Sequence, residues 1–581
     1  MKKPATWWSM LPILALVALV VAWLFRPIVL NVSGQLLDWN DYPLMVWIID
    51  QHIDHLTTGS WGAMFQSNMF YPFADSLLFS DLLLPSAVLT GITSLFVPDR
   101  ITAFNVVFLG TWLLNAVAAW TMWRRLWSGS QLFVATLFTT FMPFAVINIA
   151  HFQMITLWPF LFGFGYLLEH RKGWQQAVWI GLWTSITFVS SVYLAIFLMY
   201  CVGVWLLVQL AAEVKTIWKN SGVWLLWIGC FVVTVGVLAG PFAYKYYSMR
   251  QSYGAKRAYN EYVTYSAGVL DYFSSSSYFS IASNLPPVRY WNSMIATGAG
   301  GYFPGLVLLG LAVLNVVIFT REKPHQVGFG LAADRRTVFF AILLISGVLF
   351  SFGPRLKVGS VYVGPPLPYA VLLKFVPLFE PLRVTARWTL LVSMALIFFA
   401  SSGFGSVLAR YKDQRSQWFL AAILITLYLV EVLPIHRPIV HPNEAQHIEG
   451  HLASLCAARP IMLEYPVTYN PYGDHRGIID MLQHWTGMVL DATAHECQVI
   501  NGYSGFSPAE YSEYDAQVSG ALQRGDVAGF DVALQKRGVQ LIRVHTEKLT
   551  ATESATVAEW AQLTVSERVF TNEREAVYAV Q

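Results

Sequence analysis

Charge is what this chain has least of: Asp, Glu, Lys and Arg make up 12% of its 581 residues, about half the share of a soluble domain. That scarcity excludes an ordinary water-soluble globular protein. A net charge of +3 is too small to hold a polyanion, so nucleic acid is excluded as a partner. Cysteine is scarce too, 4 residues in all, which excludes a disulfide-built scaffold. Cys201 and Cys230 fall in apolar runs and are expected to pack. Cys456 and Cys497 fall in a polar C-terminal region, where a disulfide forms only if that region lies outside the cytoplasm. The same region has no phosphate loop, metal-spacing cluster or nucleophile elbow.

Apolar residues are abundant instead, at 56% of the chain with 23 Trp and 27 Tyr. Those aromatics suit interfacial belts as well as core. The first run, Trp7 to Leu30, is long enough to cross a bilayer and too long for a signal-peptide core, so a retained first span is expected. Short basic clusters beside spans stay cytoplasmic. Placing Lys2-Lys3, Arg124-Arg125, Arg171-Lys172, Lys215 with Lys219, Arg321 to Arg336 and Arg410 to Arg415 inside predicts about eleven crossings. They run near residues 8–30, 101–122, 131–149, 154–169, 175–190, 193–212, 222–241, 302–320, 337–353, 388–407 and 417–435. The N-terminus is then cytoplasmic and the C-terminus extracytoplasmic. Leu82 to Val97 is short and contains Pro85; it is expected to lie as a juxtamembrane or re-entrant helix on the outer face, with Asp81 as its N-cap.

The fold class predicted is a polytopic α-helical membrane protein with a small C-terminal extracytoplasmic α/β domain. Residues 1–436 form the transmembrane domain, with outer loops 31–100, 242–300 and 354–386. Residues 437–581 form the second domain, with strands at 459–466, 538–545 and 576–580 and helices centred on Ala516, Ala528 and Thr556.

Two groups of residues carry chemistry. Asp38 and Asp41 follow the first span. A carboxylate there suits a general base that takes a proton from an acceptor hydroxyl, or the pair suits a divalent cation (Mg or Mn); a merely solvated acidic loop is the alternative. The neighbouring Asp50, His52, Asp54 and His55 have helical spacing that splits them over two faces, so a solvated amphipathic helix is expected. Arg383 and Arg387 stand four apart at the start of a span, on one helical face. Guanidinium groups at a membrane surface suit a phosphate, either a substrate's or a lipid headgroup's. His151, in a short outer turn, is either functional or a satisfied loop histidine.

The order of these features resembles the GT-C superfamily of membrane glycosyltransferases, and more narrowly a bacterial GT-C-like group. The residues that carry the resemblance are Asp41-Tyr42, Phe70-Tyr71-Pro72, Tyr265-Ser266-Ala267 with Asp271-Tyr272, Tyr302-Phe303-Pro304-Gly305, Leu382-Arg383-Val384 with Ala386-Arg387, and Asn501-Gly502-Tyr503-Ser504-Gly505-Phe506. The resemblance implies transfer of a sugar, with inversion, from a polyprenyl-phosphate donor to a glycan, lipid or protein acceptor on the outer face of the bacterial inner membrane. Asp41 or Asp38 would be the base, Arg383 and Arg387 would cradle the donor phosphate, and Tyr42, Arg100, His151 and Tyr265 would touch substrate. The chain lacks the paired acids many members carry at the first motif, which leaves open which carboxylate acts. A lipid-linked saccharide transporter or flippase and a non-catalytic envelope scaffold are the other classes. Few ionisable residues fall inside the proposed spans, which counts against transport.

Overall fold

Long apolar runs satisfy their own backbone hydrogen bonds by coiling into helices, and helices dominate this chain. The computed structural model describes all residues except 1–6, 38–40, 170–172, 215–219, 275–282, 284, 288, 291–300, 323–333, 360, 435–438, 440–448, 469–477, 565 and 581. Seven helices among the described residues are long and apolar enough to cross a membrane: Trp7–Leu24, Arg100–Trp123, Gly129–Ile147, Val192–Ala212, Ser221–Leu238, Thr385–Leu408 and Gln414–Val432. The chain is a multi-pass membrane protein. The other four predicted crossings fall on shorter helices, Trp158–Leu167, Trp174–Ser190, Leu306–Glu322 and Arg335–Ser351. The segment read as juxtamembrane is the helix Leu84–Ser94, whose 11 residues extend about 16 Å. Its N-cap is Leu83 and not the expected Asp81: the helix begins two residues later, with Pro85 in its first turn.

The chain divides into two units. The first comprises Met1–Val29, Phe108–Phe242 and Arg257–Arg437. Small residues let its helices approach closely. A Cβ on Gly403 would run into the Leu311 carbonyl oxygen, and one on Gly181 would lie 2.8 Å from Thr234. At the start of the helix Leu306–Glu322 the Glu431 carboxylate accepts from the Leu306 and Val307 amides at 2.5 and 3.2 Å. A two-stranded hairpin, β1 (Leu356–Val358) and β2 (Val361–Val363), punctuates a loop of this unit.

The second unit comprises Leu30–Val107, Ala243–Lys256 and Pro438–Gln581. Its sheet has the order β4-β3-β5-β7-β6, from β3 (Ile461–Tyr465), β4 (Gln498–Val499), β5 (Leu541–His545), β6 (Glu567–Thr571) and β7 (Glu575–Ala579). β3 pairs in parallel with β4 and β5, and β7 pairs antiparallel with β5 and β6. The first loop is part of this unit. Val499 N donates to Asn68 O at 2.7 Å, Tyr71 N to Val499 O at 3.0 Å, and Phe70 N to Asn501 O at 3.0 Å, so residues 68–71 cover the edge of β4. Phe70 is wholly buried against Phe79 and Tyr511, with ring centroids 5.2 and 5.3 Å away. Gly502 makes room for that ring; a Cβ there would run into it. Cys456 and Cys497 form a disulfide, with Cα atoms 4.6 Å apart.

Between the strands, Arg543 of β5 is buried among three carboxylates: Glu464 at 3.1 Å, Asp491 at 2.7 Å and Glu575 at 2.6 Å. This polar core was not foreseen, because its members are far apart in the chain.

Phe70→Ala is expected to destabilise the second unit by about 3–5 kcal/mol, and Gly502→Val by about 1–3 kcal/mol. Since the valine would occupy the space the ring leaves, the double variant should be more stable than the sum of the two losses. Equilibrium unfolding of the four proteins measures this, and strict additivity would refute the contact.

Candidate functional site

The cationic site of the first unit is built around a turn. Arg383 lies in an irregular segment and Arg387 in the 3-10 turn Thr385–Trp388 that leads into the helix Thr389–Leu408. The expectation that both share one helical face is therefore corrected: Pro381 and the non-helical residues after it delay the helix past Arg383. The two guanidinium groups converge by another route. Arg387 lies over the Tyr193 ring at 4.7 Å and Arg383 over the Tyr265 ring at 5.5 Å. The Tyr193 hydroxyl accepts from Val384 N at 3.0 Å, which ties that ring to the segment joining the two arginines.

Packing holds the turn in place. Trp388 is buried among Phe197, Tyr200, Phe350 and Phe379, with ring centroids 4.7 to 5.8 Å away. Ala386 N donates to Tyr265 O at 3.2 Å, and Ala267 N to Ser351 O at 2.9 Å. Gly353, at φ +65, lets its backbone pass between Thr385 and Ser266, where a Cβ would meet atoms at 2.8 and 2.9 Å. Tyr302 N donates to Asp271 O at 2.7 Å. Three of the sequence motifs, at 265–272, 302–305 and 382–387, are thus neighbours in space.

The charge balance there favours an anion. Arg257, Arg383, Arg387 and Lys357 are set against fewer carboxylates. Glu261 accepts from Arg383 at 3.4 Å and faces Arg257 at 3.6 Å. Asp271 is turned to its own backbone, accepting from Gly268 N at 2.7 Å. Lys357 is buried and donates to Ser266 O at 3.2 Å. Burial and the neighbouring Arg383 both lower the pKa of Arg257. Arg387 is only 8% exposed. It has no carboxylate partner among the described residues, and its Nε is buried without a hydrogen-bond acceptor. A buried guanidinium without an acid is costly unless a ligand supplies the counter-charge. Tyr193, Arg257, Glu261 and Lys357 were missed in the sequence. Arg257 and Lys357 stood out only as basic residues in outer loops.

The second unit holds Asp41, Tyr42 and Arg100. Asp41 occupies the N-cap position of the helix Tyr42–Thr58, with helical backbone and no capping hydrogen bond from its side chain; its carbonyl accepts from Met45 N. Tyr42 is buried against Phe104, with ring centroids 5.9 Å apart. Asp38 lies outside the described residues. Arg100 is held by two acids, 3.1 Å from Asp50 and 3.1 Å from Asp54. The expected solvated helix is corrected here, since Asp50 is 5% and His52 0% exposed. The helices Leu84–Ser94 and Ile478–Asp491 pack against this helix. Asn68 bridges it and the turn at Ala492, accepting from Trp47 Nε1 at 2.9 Å and donating to Ala492 O at 2.7 Å. Burial, then Asp54, raises the Asp50 pKa to about 7 against the pull of Arg100. Burial lowers that of His52 to about 3. His151, in the first unit, is the N-cap of the short helix Phe152–Ile155, and its carbonyl accepts from Met154 N at 2.8 Å.

Among the described residues one group of three side chains has metal-ligating spacing, Cys456, His495 and Cys497. Its two sulfurs are joined to each other, so in this oxidised form only His495 is left to ligate.

The class of protein follows from comparison with solved structures. The mycobacterial arabinofuranosyltransferase AftD matches with a TM-score of 0.54 at 9% identity, over 99% of this chain and 42% of that one. A second class of the same enzyme gives 0.52 at 11% identity, over 98% and 41%. An Archaeoglobus fulgidus oligosaccharyltransferase, in complex with Zn and sulfate, gives 0.50 at 11% identity, over 98% and 73%. The fold is GT-C-like, and the chain spans less than half the length of the arabinofuranosyltransferase.

The particular family is shown by sequence. Residues 14–432 match the domain of unknown function DUF6311, and the chain belongs to that family. No curated protein sequence matches it.

Because the Asp50 pKa is raised in the folded state, the folded protein binds its proton more tightly than the unfolded chain does. Its ionisation therefore costs stability as pH rises from about 4 through 7. Asp50→Asn removes that cost and leaves Arg100 its contact with Asp54. The stability of the variant relative to wild type should climb over this range, by up to about 4 kcal/mol, and level off above it. Unfolding at a series of pH values checks this, and a difference that does not change with pH would refute it.

Proposed function

We propose that this protein is a membrane glycosyltransferase that moves a sugar from a polyprenyl-phosphate donor to an acceptor on the outer face of the bacterial cytoplasmic membrane. The observation that carries the reading is the buried Arg387 guanidinium with no carboxylate partner among the described residues. A phosphate would supply the counter-charge it lacks, and the GT-C-like fold is consistent with a lipid-borne donor. Arg383 adds a second, more exposed guanidinium, 35% accessible at its side chain.

In this reading the acceptor oxygen attacks the anomeric carbon as the bond to the donor phosphate breaks. The electron pair leaves with the polyprenyl phosphate, whose added charge Arg387 and Arg383 neutralise. The acceptor proton passes to a carboxylate, with Asp41 proposed and Asp38 the alternative. Attack opposite the leaving group inverts the anomeric centre. Tyr265, beneath Arg383, Tyr42, Arg100 and His151 are proposed to touch substrate. Asp41 and Asp38, three positions apart, are the carboxylates that would hold a Mg or Mn ion. The 1–436 and 437–581 division, with eleven crossings, the N-terminus inside and the C-terminal domain outside, belongs to the same proposal.

Purified protein should release polyprenyl phosphate from a polyprenyl-phosphate sugar in the presence of acceptor. Arg387→Gln is expected to lower kcat/KM by about 100-fold or more, and Arg387→Lys by less, since lysine keeps the charge but not the fork geometry. Asp41→Asn should abolish transfer while donor binding persists. A chelator arm reads the metal. Unchanged transfer by Arg387→Gln would end the proposal.

A further inference from the structure

Cys456 and Cys497 are brought together by the sheet of the second unit. Cys456 opens the 3-10 turn Cys456–Ala458 that leads into β3, and Cys497 directly precedes β4. β3 and β4 pair in parallel, with Ile461 opposite Gln498 and Met462 opposite Val499. Arg459 N donates to Cys456 O at 2.8 Å, and Gln498 N to Pro460 O at 2.9 Å. These backbone bonds set the two cysteines side by side whether or not their sulfurs are joined.

His495 stands two positions before Cys497. Burial alternates along this segment: His495 is 6% and Cys497 0% exposed, while the Glu496 side chain between them is 65% exposed. His495 and Cys497 therefore turn inward together. The His495 carbonyl accepts from Asn68 Nδ2 at 3.2 Å, which fixes its backbone. Both ring nitrogens of His495 are buried, and neither has a hydrogen-bond partner among the described residues. A buried imidazole ordinarily uses at least one of them. A ring nitrogen and the two Sγ atoms all lie within 4.8 Å of one another.

Two electrons and two protons from a dithiol convert such a disulfide to two thiols, and the dithiol itself becomes a disulfide. A divalent cation then takes both sulfurs as thiolates and His495 as neutral imidazole, and two protons leave. Two thiolates cancel the charge of the ion, as a buried position requires. Thiolate with imidazole selects Zn(II) over Mg(II) or Mn(II). Tetrahedral thiolates on zinc stand about 3.8 Å apart, which the 4.8 Å span of this group accommodates.

We propose that Cys456, Cys497 and His495 form a redox-gated zinc site, closed by the disulfide and opened by its reduction. The proposal is independent of the glycosyltransferase reading. Full-length protein carrying Cys201→Ala and Cys230→Ala, which removes the chain's other two cysteines, is purified in detergent. It is reduced with a phosphine, which becomes the phosphine oxide and leaves no competing thiol. Titration with Co(II), whose visible absorption reports tetrahedral thiolate ligation, should then show one ion per chain, displaced by Zn(II). The oxidised protein should show none. His495→Ala should weaken Co(II) binding by about 100-fold or more, and Cys497→Ser should abolish it. Wild type, compared with Cys497→Ser alone, serves if the background without Cys201 and Cys230 fails to fold. If reduction loosens the second unit, hydrogen exchange over β3 and β4 reads it, and Zn(II) should restore the protection of the oxidised protein. Co(II) binding of equal strength before and after reduction, binding unchanged by His495→Ala, or a reduced protein that neither binds Co(II) nor regains protection with Zn(II) would overturn the proposal.

Discussion

Holding a guanidinium out of water at the mouth of a membrane helix is the constraint around which the first unit is organised. Desolvating Arg387 costs several kcal/mol, and the surrounding chain is arranged so that the residue has nowhere else to go. Trp388 anchors the following position in an aromatic box. The Ala386 amide is tied to Tyr265, and the Tyr193 ring lies under the charge. Glycine at 353 allows two backbones to pass within contact. The acids nearby are engaged elsewhere, Glu261 by Arg383 and Asp271 by its own loop. Cation–π contact with Tyr193 offsets part of the cost, and among the described residues no carboxylate offsets the rest. The same principle governs transition-state stabilisation generally, in that groups fixed in advance need no reorganisation when charge develops.

The second unit meets a different constraint. A five-stranded sheet with a two-residue edge strand exposes unpaired backbone, and here the first loop supplies the missing partner. Phe70 then locks into the space that Gly502 leaves open. Two segments more than 400 positions apart thus form one surface, and Asn68 extends the join by bonding to Ala492 and His495 carbonyls. Inside the sheet, Arg543 with its three carboxylates sets partners for strands β3, β5 and β7. A lone charge in that position would be prohibitive, so each member constrains the others.

Several features were legible from the residues alone. Low charge and long apolar runs signalled a multi-pass membrane protein. Alternation located β3, β5 and β7, and a polar setting for Cys456 and Cys497 fitted the disulfide. β4 and β6 escaped notice: β4 has two residues, and β6 is largely exposed, so neither presents a buried alternating face. The helix carrying Asp50 and His52 was misjudged as solvated because a polar residue in sequence says nothing of what covers it. Its cover comes from the helices Leu84–Ser94 and Ile478–Asp491, and the ion pairs with Arg100 offset part of the burial.

The sequence by itself determined the solvent of this protein, since composition and run length decide whether a chain enters a bilayer, and it named Arg383 and Arg387 as the arginines of interest because charge at a span's edge is rare. The tertiary structure decided how those two are placed. Their spacing suggested a shared helical face, yet they converge through a turn, with Tyr193 brought from 191 positions away to tie the segment between them. The reason is physical: local spacing encodes helix and strand, whereas which side chain supplies a counter-charge, a ring face or a void is set by long-range packing that no short window contains.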